Sequence, residues 1–137
     1  MNTSFSATTE QVRQHRKYVT RRVDKSLRLS RLTPGTILQG IEKAQGIKKG
    51  EHVVKLDWIV ILEVNREPLK EIRNYDRMVP SQIIRQYHGF GAFTEMELEG
   101  FPDLSAEQFI EKFCQINPKC TPDTEITRIL FDYVKVE

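Results

Sequence analysis

Apolar positions recur along this chain in two periods. Phe109, Ile110, Phe113 and Ile116 fall at the spacing of one helical face. Ser105 before them, with Gln108 three positions on, forms the reciprocal cap of a helix start, and Leu104 is placed to staple against Phe109. Asn117-Pro118 stops that helix. A shorter helix is expected near the beginning, with Ser6 or Thr8 as cap, Gln11 completing a capping box on Thr8, Val12 as its apolar anchor and an end near Arg16.

Elsewhere the period is that of strands. From Tyr18 onward Val19, Arg21 and Val23 alternate with Tyr18, Thr20 and Arg22, so the first helix hands over to a strand with Thr20 and Arg22 on one face. A turn at the helix exit is required if Lys17 is to join them. Thr33-Pro34-Gly35 is a turn signal, and Thr36 to Ile41 reads as a strand. A polar turn at Lys48–Glu51 precedes the longest strand, His52 to Val64, whose run Trp58-Ile59-Val60-Ile61-Leu62 predicts a central strand covered on both faces, with Trp58 in the core. Glu67-Pro68 ends it. Lys70 to Met78 is polar, Ser81 to Tyr87 reads as a short helix, and Gly89-Phe90-Gly91 breaks it. Glu125 to Val136 predicts a final strand, with a slip near Leu130 that suggests a bulge. This order predicts an α+β fold, a mainly antiparallel sheet, curved or closed into a small β-barrel, with flanking helices.

Composition narrows the class. The 137 residues suit one domain, and 39% hydrophobic with 29% charged residues excludes a disordered chain. No apolar run approaches the ~18 residues of a spanning helix, and Met1-Asn2-Thr3-Ser4 lacks signal-peptide character, so a cytoplasmic protein without a membrane partner is expected. Cys114 and Cys120 fit neither a redox pair nor a zinc knuckle, and are expected as free thiols, the first in the core and the second in a loop. His15, His52 and His88 show no ligand spacing, so neither a metal nor another cofactor is expected.

Charge changes the picture more. Residues 1–55 carry 12 Lys and Arg against 4 Asp and Glu, while residues 56–137 carry 9 against 15. A basic half of that kind attracts phosphates or an acidic protein, unless its charges only solvate a face. Within it, Lys17-Tyr18-Val19-Thr20-Arg21-Arg22 offers an ammonium, a hydroxyl and two guanidiniums, and Glu99-Gly100-Phe101 downstream offers a carboxylate. Together these make a small polar site if the fold unites them. Otherwise Thr20 is an ordinary strand residue, Glu99 a solvated loop carboxylate, and Arg22 and Arg128 partners in surface or cross-strand pairs.

Four tracts in order, Lys17-x-x-Thr20-x-Arg22, Leu32-Thr33-Pro34-Gly35, Glu99-Gly100-Phe101-Pro102 and Thr124-Glu125-Ile126-Thr127-Arg128-Ile129, resemble the ASCH family, especially its compact bacterial and phage members. The resemblance implies a PUA-like fold across residues 1–137 as a single domain, with a cleft for RNA, nucleotides or modified nucleosides. Similarity to the N4-acetylcytidine amidohydrolases of that family implies Lys17 as base, Thr20 as nucleophile and Glu99 as proton shuttle. Tyr18, Arg21, Arg22 and Arg128 are then the expected contacts to base, ribose or phosphate. This chain departs from those enzymes by an insertion around Arg73–Phe93, just before Glu99. The alternatives to a nucleoside- or RNA-binding domain are therefore such an amidohydrolase and an adaptor for an acidic protein.

Overall fold

The computed structural model describes residues 2–42, 52–75 and 94–135. The expected turn at 48–51, the helix at 81–87 and all but the first three residues of the 73–93 insertion lie outside these. Among the described residues five strands form one sheet: β1 (Asn2–Ser4), β2 (Val19–Arg22), β3 (Ile37–Ile41), β4 (Lys55–Pro68) and β5 (Glu125–Val134). Their spatial order is β1-β3-β4-β5-β2, antiparallel throughout except for the parallel β1–β3 pair. Helices α1 (Thr9–Arg13), α2 (Glu95–Glu99) and α3 (Ala106–Ile116) flank it. The fold is thus a mixed α+β domain with a mostly antiparallel sheet.

The expected barrel is corrected. Among the described residues β1 and β2 each have a hydrogen-bonded neighbour on one side only, so the sheet they form is open. What crosses between its edges is a side chain: Arg22 Nη2 donates to the carbonyl of Ser4. Backbone pairing there would need another strand, and none among the described residues supplies it.

β5 shows how the sheet divides the interior. Ile129 and Phe131 point into one cluster with Phe5, Val12, Ile59 and Ile61. Ile126, of the opposite parity, joins Leu69, Ile72, Met96, Phe109, Ile110 and Phe113, and Leu130 joins Tyr18, Val19 and Leu98. Residues 126–131 are therefore all buried. β4 is central, as its apolar run predicts, but Trp58 on it is only half-buried. The expected slip is present on the other strand. Ile61 pairs with Phe131 and Glu63 with Leu130, so Leu62 is the extra residue and the bulge belongs to β4. The extra residue lets Val64 return to the cluster that Ile59 and Ile61 share.

α3 has the cap its sequence announces: Ser105 Oγ accepts from Gln108 N at 3.1 Å, and Gln108 Oε1 accepts from Ser105 N at 2.9 Å. Ile116, expected in its buried stripe, is 60% exposed. α1 is shorter than expected. A 3-10 turn at Ser6–Thr8 precedes it and the Thr8 side chain makes no capping bond, so the capping box with Gln11 does not form. The helix gives way to a turn at Gln14-His15, where His15 takes φ +55°. Both thiols are free and Cys120 lies in a loop as expected, but that loop residue is buried while Cys114, expected in the core, is only half-buried. Among the described residues no helix is long and apolar enough to cross a membrane.

Candidate functional site

Glu99 is positioned by α2, which Thr94 caps through a bond from Glu97 N at 3.1 Å and Gly100 ends at φ +94°. A Cβ at Gly100 would lie 3.0 Å from the Gln11 side chain, so both conformation and close packing call for glycine. Gln11 Nε2 donates to the Gly100 carbonyl at 3.2 Å, and Tyr18 N to the Leu98 carbonyl at 2.7 Å. These bonds hold the end of α2 beside the start of β2.

Lys17 lies after the turn at His15 and before β2, so the turn precedes it and the expected swing of Lys17 onto the face of Thr20 does not occur. Its Nζ donates to the Glu99 carbonyl at 2.7 Å and to Glu99 Oε1 at 3.0 Å. Arg21 Nη1 takes the other carboxylate oxygen at 2.6 Å. Four positions apart in an extended segment, Lys17 and Arg21 share one parity, and Thr20 and Arg22 share the other. Arg22 Nε donates to Thr20 Oγ1 at 3.1 Å. Because β2 is an edge strand, all four border a single cavity of about 330 Å³ with Glu99, Ser4 and Phe5. Its opposite wall is apolar, with Phe101, Phe109 and Phe113, and Lys112 Nζ stands 4.5 Å from the centre of the Phe101 ring. The volume falls in the range of small-molecule sites.

Burial shapes the charges here. Desolvation pulls the Lys17 ammonium below its ordinary pKa against the opposing pull of Glu99, and it likewise lowers Arg22. For Arg21, burial lowers the pKa but Glu99 and Glu95 outweigh it, so the group is held above its ordinary value. Arg22 Nη1 and the Thr20 hydroxyl proton have no partner among the described residues, and two of the three Lys17 donors are used.

Of the expected contacts, Tyr18 and Arg128 do not line the cavity, and Arg21 lines it with its guanidinium engaged in ion pairs. The Tyr18 ring is buried with Val19, Leu98 and Leu130 and does not line the cavity. Arg21, though beside the cavity, has a side chain with no exposure and binds Glu95 and Glu99. Arg128 binds Glu95 through two bonds, 2.7 Å from Nε and 3.1 Å from Nη2, under the Tyr75 ring. The two arginines are thus internal braces, not surface contacts for nucleic acid. The residue-type signal was right about charge and silent about burial.

Glu95 is what the sequence reading missed. Burial would raise its pKa, yet the hydrogen bonds from Arg128 and the charge of Arg21 prevail and hold it below the ordinary carboxylate range. Glu67, also buried, accepts from Tyr75 Oη at 2.7 Å and lies 4.0 Å from Arg21. The missed signal is Thr94-x-x-Glu97 followed by Gly100, a cap pattern that makes Glu95 and Glu99 neighbours on one helical face.

No family model matches the chain, and no curated protein matches it. Two solved structures are similar in fold. The crystal structure of hypothetical protein PH0355 is 11% identical, with a TM-score of 0.54 over 98% of this chain and 100% of that one. The crystal structure of protein EF3133 from Enterococcus faecalis V583, described by the family model DUF984, is 14% identical, with a TM-score of 0.50 over 94% of this chain and 68% of that one. At such identities the likeness shows a distantly related fold alone. Neither description carries ASCH, amidohydrolase or β-barrel character, so those expectations find no support in them, and the open sheet overturns the last.

Proposed function

We propose that this protein binds a nucleoside, nucleotide or modified base in the cavity between the edges of its sheet. One observation carries the reading: Lys17, Thr20, Arg22 and Glu99, from tracts some eighty residues apart, line one cavity whose other wall is phenylalanine. A base needs a flat apolar surface and a few fixed polar groups at its edge. Phe101 and Phe109 supply the first, and the uncommitted Lys17, Thr20 and Arg22 donors the second. The ion pair with Glu99 holds Lys17, and the bonds from Arg22 to Thr20 and to the Ser4 carbonyl hold the other two, before any ligand arrives. The motif resemblance seen in the sequence supports a nucleobase over other flat ligands.

Titration calorimetry with cytidine, cytidine monophosphate and N4-acetylcytidine tests this. Arg22→Ala and Phe101→Ala are each expected to weaken binding about tenfold or more, the loss of a charge-assisted bond or a stacking surface. Absence of affinity for every nucleoside and nucleotide tried would end the proposal. Hydrolysis of an N4-acyl group is the competing reading. The lowered Lys17 favours it, whereas Glu99 stands against it as proton shuttle because both of its carboxylate oxygens already accept buried cationic donors. Acetate release from N4-acetylcytidine that Thr20→Ala abolishes would decide for hydrolysis.

A further inference from the structure

A second concavity, of about 710 Å³, adjoins the first and shares Val23, Ile116 and Asn117 with it. Its wall carries three cations, Lys25, Arg66 and Lys119, all exposed. Among the described residues none of them is in an ion pair, whereas elsewhere Arg13 is paired with Glu10 and Lys70 with Asp123. Of the two acids on the wall, Asp24 is buried and its carboxylate accepts from Ser30 N at 2.9 Å and Thr127 Oγ1 at 3.2 Å. Glu125, the other, is exposed. The exposed charged side chains of the wall are thus three cations and one carboxylate, a net positive surface. It also shows two large apolar side chains to water, Ile116 at 60% exposure and Leu27 at 42%. Leu27 takes φ +59°, a left-handed conformation uncommon for a residue other than glycine, in a turn where its N–H bonds the Asp24 carbonyl at 3.1 Å.

We infer that this groove is a track for single-stranded nucleic acid, so that the ligand is a base within an oligonucleotide and not a free nucleoside. Cations spaced along a channel meet successive phosphates, and Leu27 and Ile116 offer apolar contact to the sugars and bases between them. The ridge of Val23, Ile116 and Asn117 is where one nucleotide turns from the groove into the base-sized cavity. An acidic peptide satisfies the cations equally well but leaves the adjoining aromatic cavity unused. The inference rests on the cavity's being a nucleobase site, and it extends that site along the surface.

Fluorescence anisotropy with a labelled octacytidylate, alongside calorimetry with cytidine, tests it. The octamer is expected to bind at least about tenfold more tightly than cytidine, with log affinity falling against log salt at a slope of about −2 for three single-strand phosphate contacts. Reversing charge with Lys25→Glu and Lys119→Glu, two exposed positions outside the cavity, is expected to cost the octamer about tenfold and flatten that slope. Cytidine binding and the circular dichroism spectrum stay unchanged. An octamer that binds no better than cytidine, is indifferent to the reversal, or is displaced equally well by polyglutamate overturns the track and leaves the cavity standing. Failure of cytidine and octamer alike removes both.

Discussion

Glu95 and Glu99 share one short helix and do different things because their partners differ. Glu99 faces the cavity edge between Lys17 and Arg21, while Glu95 is sunk between Arg21 and Arg128. Burying charges in this way does not itself stabilise, but removing one partner from such a set is costly. Glu95→Gln is expected to lose about 3–5 kcal/mol at neutral pH, read by urea denaturation. The sign of its pH dependence follows from its lowered pKa. Between the folded and unfolded values the unfolded chain binds more protons, so the contribution is present above the ordinary carboxylate range and is lost as pH falls through the folded value. The variant should therefore show a shallower acid-side fall in stability than the parent protein, and equal falls would refute the assignment. Lys17, Thr20, Arg22 and Glu99 were legible as candidates because their residue types and spacing form a motif. Glu95 was not, since nothing local distinguishes a carboxylate that will meet two arginines from one that will meet water.

Elements with a long apolar stripe or a complete cap were legible, and short ones were not. α3 spans eleven residues and carries both halves of its capping box, so its start was readable to the residue. Ser105→Ala is expected to cost about 1 kcal/mol, seen as a lowered urea midpoint with an unchanged slope. A cost near zero would show the cap to be redundant. α2 has five residues, too few for a periodic signal, and forms because its ends are capped and its buried face is packed. β1 is three polar residues whose strand character comes from pairing with β3. Phe5, which follows it, is buried with its ring against Gly40, where a Cβ would stand 3.2 Å from that ring. The bulge was anticipated in the wrong strand because a register shift belongs to a pair, and one strand's sequence does not say which partner carries the extra residue.

The sheet's two faces are tied through β5, so the molecule should unfold as one unit. Phe131 is fully buried, 5.6 Å from the Phe5 ring, and its N–H bonds the Tyr18 carbonyl at 2.8 Å. Phe131→Ala is expected to cost about 3–5 kcal/mol through lost transfer energy and a residual cavity. Fluorescence from the single tryptophan, Trp58 on β4, and far-ultraviolet dichroism should still report one common midpoint. Separate midpoints would mean that the two clusters are independent. Read linearly, the chain already disclosed its class, most strands, the main helix and a set of polar groups worth watching, because caps and periodicity act over a few neighbouring residues. It did not disclose the open edge, the brace of buried arginines or the cavity. Those depend on which distant segments meet: Arg22 reaches the Ser4 carbonyl and Lys17 reaches Glu99 only once the sheet has curved and α2 has docked beside β2, and burial is a property of that assembly, not of any residue within it.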